Sequence, residues 1–222
     1  MDHKRLTLFA GHYGSGKTNI AVNYALSLAK EGKKVCIADL DIVNPYFRTK
    51  DSERELSEAG ISLVSPQYAN SNVDLPALPA ESYRLVQDKS TYGIMDIGGD
   101  DRGAYALGRF ADAIKAENDY RMAFVLNCYR PLTSKVEDAI EIMREIEAAA
   151  GLRFTCIVNN SNLGPETTAG TVRESVGFAE RLSRETGLEI WMHTAVASVA
   201  EALSELDVLP MTLQRKIFDL PD

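Results

Sequence analysis

Residues Gly11 to Thr18 read GHYGSGKT, which satisfies GxxxxGK(S/T), the spacing at which successive backbone N–H groups turn inward and cradle phosphate oxygens. Gly11, Gly14 and Gly16 permit backbone angles that a side chain would forbid, and with Ser15 they bring the main chain close to a polyphosphate. Lys17 supplies an ammonium that reaches the β- and γ-phosphates, and Thr18 a hydroxyl that can ligate the Mg²⁺ bridging them. Three carboxylates complete the set: Asp39 and Asp41 close one apolar run, and Asp96 closes another, just before Gly98 and Gly99. An apolar run ending in Asp beside a phosphate loop is the arrangement that holds Mg²⁺ directly or through water. Position selects Asp96 for the metal, and the glycine pair behind it would let a loop respond to the γ-phosphate. Asp39 and Asp41 are two apart, so an extended strand turns both toward the site. The competing role for either acid is to cap the turn that follows.

These groups act together only if strands and helices bring them to one place. Leu6 to Ala10 forms an apolar strand ahead of the glycines, and Asn19 to Lys30 carries Ile20, Ala21, Tyr24, Ala25 and Leu28 at helical spacing behind them. That helix ends at Gly32 and points its positive end at the phosphate site. A glycine-rich turn between strand and helix can exist without a ligand, but here the required context stands on both sides of the motif. Further apolar strands are expected at 33–41, 91–99, 121–128, 154–158 and 190–196, with a short added strand at 61–65. Between them fall helices at 52–59, 80–89, 101–117, 134–150 and 171–185, and a short one at 198–206. Ser52 with Glu55 and Ser134 with Glu137 have capping-box spacing. Strands alternating with helices give an α/β fold, a doubly wound, mostly parallel sheet with helices on both faces, which binds ligands at the carboxyl ends of its strands.

At 222 residues the chain suits one nucleotide-binding domain spanning its whole length, with an insertion around 44–90. Pro66 to Pro79 is rich in Pro and Asn and reads as a long irregular loop. A formal net charge of −8 argues against nonspecific binding of nucleic acid, which needs many cations to neutralise phosphates. No segment reaches the ~20 apolar residues that cross a bilayer, and the tail MTLQRKIFDLPD lacks the basic amphipathic character of a membrane anchor. Cys36, Cys128 and Cys156 fall in or beside core strands, form no CxxC pair, and fit reduced, packed thiols in a cytoplasmic protein.

The segments GHYGSGKT, KKVCIADLD, YGIMDIGG and CIVNNSN occur in the order and at roughly the spacing of the MinD/ParA class of P-loop ATPases. That class also includes the nitrogenase iron protein and the CobQ/CobB nucleotide-binding domains, and the resemblance covers Leu6 to Val196. It implies ATP and Mg²⁺ as cofactors, Lys17 as the phosphate lysine, Thr18 and Asp96 as the metal residues, and Asp41 as the acid that orients the attacking water. It also implies that Asn159 contacts adenine, chemistry that suits a carboxamide with its donor and its acceptor. A nucleotide-bridged homodimer belongs to the same expectation. His12 departs from it, because dimer-forming members carry lysine there and an imidazole lacks that permanent charge. Guanine-binding relatives place an Asp in the segment that is Asn159 to Asn162 here, and its absence favours adenine. No cysteines stand near Gly98 and Gly99 to hold an iron–sulfur cluster.

The reaction expected is ATP hydrolysis that switches the chain on an unknown protein partner. The alternatives are an ATP-dependent kinase or ligase acting on a small molecule, with its acceptor held by 66–79 and the loop NCYRPLT, and a nucleotide sensor without turnover. Arg48 and Lys50 follow Asp41 and could reach phosphate or remain solvated; Tyr13 could cover the nucleotide or pack; Arg102 and Arg109 read as surface charges; and Asp100 and Asp101 read as caps.

Overall fold

Neighbouring residues of a strand point to opposite faces of its sheet, so a run that is apolar throughout must be covered on both sides. β1 (Leu6–Ala10) is apolar but for Thr7 and is buried at every position. Leu6, Leu8 and Ala10 share one cluster with Leu107, Ala139 and Leu182, whereas Phe9 shares the other with Ile20, Tyr24, Leu28 and Leu56. The computed structural model describes residues 3–41, 49–65, 80–99 and 101–214. The predicted irregular loop at 66–79, Arg48 and Asp100 lie outside them, as do the side chains of Lys50, Asp101 and Arg102.

Among the described residues eight strands form one sheet in the order β3-β2-β4-β1-β5-β6-β7-β8, and every pairing is parallel. The others are β2 (Val35–Leu40), β3 (Ser62–Val64), β4 (Tyr92–Ile97), β5 (Tyr120–Leu126), β6 (Cys156–Asn159), β7 (Glu189–Val196) and β8 (Val208–Met211). The helices are α1 (Lys17–Lys30), α2 (Glu53–Glu58), α3 (Arg84–Gln87), α4 (Asp101–Gly108), α5 (Ala111–Glu117), α6 (Val136–Ala150), α7 (Ala169–Thr186) and α8 (Ala197–Ala200). The chain winds outward from β1 in both directions, so the crevice for a ligand lies beyond the carboxyl end of β1, where the glycine loop begins. The register sets Asp39 beside Asp96, and Asp96 beside Phe9, which brings two of the predicted acids to the root of that loop.

Several elements differ from the sequence reading. The single helix expected over 101–117 is two: Phe110 is buried, its N–H bonds the Leu107 carbonyl at 2.9 Å, and α5 starts from it. Neither expected capping box forms. Ser134 Oγ donates to the Pro131 carbonyl at 2.8 Å, because Pro131 opens a 3₁₀ turn and passes the cap to Lys135. Ser52 Oγ instead accepts from Gln214 Nε2 at 2.7 Å. The box that does form joins Thr168 and Thr171 at the start of α7. β8 is the largest surprise. Its four residues contain a proline and alternate too briefly to be read as a strand, yet β7 pairs with Val208 to Met211 along its length.

The chemistry at the amino end of the sheet is structural. The buried Arg5 guanidinium pairs with Glu117 and donates to the carbonyls of Leu85, at 2.9 Å, and Thr91, at 3.0 Å. Trp191 stacks on Phe9 and meets Tyr24 edge-on, with Arg121 over its other surface. The three cysteines are free. Burial pushes the Cys36 thiol up to about 11 and the Cys156 thiol up to about 12, so both stay protonated and unreactive at neutral pH.

Candidate functional site

The chain leaves β1 at Gly11 with φ 151°, and a Cβ there would stand 2.6 Å from the Val125 carbonyl oxygen of β5. Only a residue without a side chain lets the loop start this close to the sheet. The loop closes with Ser15 N–H donating to the His12 carbonyl at 3.2 Å. Lys17 then begins α1, its side chain buried and its Nζ donating to the His12 carbonyl at 3.1 Å. That bond curls the ammonium back over the loop, which is how a phosphate lysine is held ready. Gly14, Gly16, Lys17 and Thr18 line a pocket of about 460 Å³. Gly11 and Ser15 lie behind that lining, shaping the loop from below, and the Ser15 hydroxyl is buried without a hydrogen bond among the described residues.

Asp96 is buried where β4 nears its end, and its Oδ2 accepts from Thr49 Oγ1 at 3.0 Å. Its Oδ1 is buried and meets no donor at normal geometry among the described residues, although the Thr18 hydroxyl is near enough to favour the ionised form. An unfilled carboxylate oxygen beside a threonine hydroxyl is a hard-oxygen donor pair, and it fits Mg²⁺, which takes one or two protein ligands and fills the rest of its shell with water and phosphate. The described residues contain no group of three or more His, Cys, Asp or Glu able to hold a metal unaided, so a cation held here would need further ligands from water or phosphate.

The two acids after β2 separate. Asp41 lines the pocket, while Asp39 turns its Oδ1 to accept the Asp41 N–H at 3.0 Å. Alternation would have set them on one side, but β2 ends at Leu40, so Asp41 lies beyond the strand while Asp39, still within it, caps the Asp41 N–H. The glycine pair has a role in packing: a Cβ on Gly99 would stand 2.6 Å from the Tyr13 nitrogen and 3.0 Å from Lys17 Nζ. The segment after Asp96 therefore lies directly on the phosphate loop.

Burial raises the Asp96 carboxyl to about 6, and the neighbouring Asp41 adds to the shift; Thr18, Lys17 and Thr49 oppose it. A folded-state value above the unfolded one, ~3.9, means that the folded chain holds this proton more tightly. The Asp96 contribution to stability is therefore lost as pH rises from about 4 through about 6. Mg²⁺ needs the ionised form and reverses the trend. Melting curves are expected to show a larger Mg²⁺-dependent rise in Tm with nucleotide at pH about 7.5 than at pH about 5. Equal rises at both pH values would remove Asp96 from the metal site.

Asn159 is not brought to the pocket. It is the last residue of β6, and its amide faces a buried polar cluster, donating to Ser175 Oγ at 2.9 Å and lying 3.1 Å from His193 Nδ1. Its Oδ1 accepts from Ser161 Oγ at 2.7 Å. Burial lowers the His193 pKa, so the imidazole stays neutral there. One residue further the side chain turns to the opposite side, so that Asn160 lines the pocket instead. Its Nδ2 donates to the Ser15 carbonyl at 2.6 Å and its Oδ1 accepts from Thr194 Oγ1 at 2.6 Å. Asn160 thereby ties the phosphate loop to β7.

The resemblance implies that Thr194 to Ser198 lie near the base, and Thr194, Ala195 and Val196 do line the pocket; sequence reasoning missed Met211 and Leu213, which add apolar surface to it. Met211 ends the unforeseen β8, and the backbone beyond it is anchored on α1: Asn23 Oδ1 accepts from Thr212 N–H at 2.8 Å, and Asn19 Oδ1 from Gln214 N–H at 3.1 Å. Sequence reasoning considered Arg130 only within the loop NCYRPLT, as part of a segment that could hold a small-molecule acceptor; its side chain lies on the phosphate loop and lines the same pocket. Tyr13 stands at the mouth, exposed. Arg109 is exposed, as a surface charge should be.

A family model described as the CobQ/CobB/MinD/ParA nucleotide binding domain matches residues 6–184. Solved structures of similar fold include the cell division protein FtsY of Thermotoga maritima, 18% identical over 87% of this chain and 62% of that one, with a TM-score of 0.59. Another is the signal recognition particle 54 kDa protein of Aeropyrum pernix, solved in complex with GDP, 19% identical over 85% of this chain and 40% of that one, with a TM-score of 0.54. The chain thus spans less than two thirds of either protein's length, and at these identities the likeness is one of fold. No curated protein matches the chain.

Proposed function

Because this chain belongs to the CobQ/CobB/MinD/ParA family of nucleotide-binding domains, we propose that it binds Mg·ATP in the pocket at the end of β1, hydrolyses it, and uses the exchange to switch its hold on a protein partner in the cytoplasm. The observation that carries this reading is the convergence at one end of a single pocket of the loop 11–18, Lys17, Thr18 and Asp41, with Asp96 directly behind Thr18. We take the whole chain as one nucleotide-binding domain.

In this reading Thr18 and Asp96 would hold Mg²⁺, which would supply positive charge to offset that of the phosphates. Lys17 and the amides of residues 14–18 are aimed at the oxygens where negative charge gathers as the γ-phosphoryl group leaves. Asp41 orients a water for in-line attack on the γ-phosphorus and takes its proton; the bond from the γ-phosphorus to the β-bridging oxygen breaks, giving ADP and inorganic phosphate. Gly99, in contact with Tyr13 and near Lys17, is placed to feel the γ-phosphate depart, and α4, which starts at Asp101, would carry that change outward.

Adenine is favoured over guanine because guanine offers N–H donors that a carboxylate accepts best. The acid lining the pocket is Asp41, at the phosphate end; the far end presents Asn162, Thr167 and Thr194 instead. Calorimetric titration of the full chain with Mg·ATP and Mg·GTP tests both parts. Tighter binding of ATP, with slow ADP formation that a protein fraction stimulates, supports the proposal. Absence of heat with either triphosphate overturns it, and stimulation by a metabolite mixture alone would favour the small-molecule kinase or ligase. Among the described residues no helix is long and apolar enough to cross a membrane.

A further inference from the structure

The turn after β5 is rigidly built. Asn127 Oδ1 accepts from Tyr129 N–H at 3.1 Å, the Asn127 carbonyl accepts from Thr133 Oγ1 at 2.5 Å, and Tyr129 Oη donates to the Thr171 carbonyl at 2.7 Å. From this frame the Arg130 side chain reaches back across the phosphate loop. Its Nε donates to the Gly14 carbonyl at 3.1 Å, and a Cβ on Gly14 would lie 3.5 Å from its guanidinium carbon. One nitrogen is thus spent on position, while the two terminal nitrogens have no hydrogen bond or ion pair among the described residues. The same side chain lines the pocket beside Lys17. The His12 side chain is not part of the pocket lining, its Nδ1 lying 3.0 Å from the Tyr13 carbonyl instead.

A planar guanidinium held at Nε against a phosphate loop, with its terminal donors unspent in a side chain that lines the pocket, is arranged as an anion ligand. We propose that Arg130 is a phosphate ligand of this site, supplied by the same chain, so that a single copy carries both fixed cations that face the nucleotide. The inference rests on the Mg·ATP reading above and adds to it the source of the second charge: no lysine or arginine from a second copy is required for turnover.

Three substitutions separate charge from scaffolding. Arg130→Gln keeps an N–H that can reach the Gly14 carbonyl but loses the cation, Arg130→Lys keeps the cation but loses the fork, and Arg130→Ala loses both. Titration of the full chain with ATP, ADP and AMP, each with Mg²⁺, is expected to show Arg130→Gln and Arg130→Ala weakening ATP about 10- to 100-fold, the range for a lost charge-assisted hydrogen bond. Under the same titration ADP weakens less and AMP least, and Arg130→Lys recovers part of the ATP loss. Turnover per site in the unmodified protein stays constant on about 100-fold dilution, where a site completed by a second copy would lose activity. Near-normal ATP binding by Arg130→Gln, equal weakening of all three nucleotides, or turnover that disappears on dilution would each overturn the proposal. Failure of the unmodified chain to bind ATP would instead overturn the nucleotide reading itself, so the two failures are distinguishable.

Discussion

Lys17→Ala is expected to reduce ATP binding and turnover about 10²–10³-fold, the usual cost of one preorganised donor facing developing negative charge. The fold should survive. Lys17 opens α1, where alanine is a better helix former, and the side chain leaves behind a His12 carbonyl on the open face of the loop, where water can replace the ammonium. The substitution also removes a positive charge that lowers the Asp96 pKa, so the metal site loses acidity together with the phosphate contact, and Mg²⁺ should not rescue the variant at neutral pH. The measurement is calorimetric affinity for Mg·ATP alongside a melting curve without nucleotide. An unchanged affinity in a folded protein would remove Lys17 from the phosphate site.

Asp41→Ala is expected to separate binding from chemistry. The residue lines the pocket without being part of the loop that grips phosphate, and its negative charge both repels a polyanion and raises the pKa of Asp96. Deleting it should leave ATP affinity equal or slightly improved, and should lower the Asp96 pKa so that Mg²⁺ binds at more acidic pH. The rate of ADP formation should nonetheless fall about 10²–10⁴-fold, the contribution of a positioned general base. Single-turnover kinetics with saturating nucleotide reads this directly. A normal rate would show that some other group orients the water, whereas a loss confined to affinity would make Asp41 part of the binding site only.

Both substitutions concern residues legible in the chain itself. GHYGSGKT, flanked by an apolar strand and an amphipathic helix, leaves little freedom, because the loop geometry depends on the backbone and on the glycines that permit it. The strand-terminal acids are equally visible, since an acid that closes a wholly apolar run must emerge at the strand's carboxyl end. Periodicity also yielded the alternation of strands and helices, because burial on one face of a helix or both faces of a sheet writes itself into spacing. The weaker readings share one cause. Asn159 and Asn160 look alike in sequence, and only the end of β6 decides that Asn160 faces the pocket while Asn159 joins His193 and Ser175.

The sequence alone therefore determined the phosphate loop, the acids at the strand ends and the class of fold, all properties of segments whose chemistry is local. Tertiary structure alone decided which residues complete the pocket. Met211 arrives on β8, paired with β7, and Leu213 on the segment just beyond it, held by Asn19 and Asn23 of α1; Arg130 arrives over Gly14 from a turn 116 residues further along the chain. Contacts of that kind depend on how separate elements meet across the end of a sheet, and no periodicity within a single element encodes them.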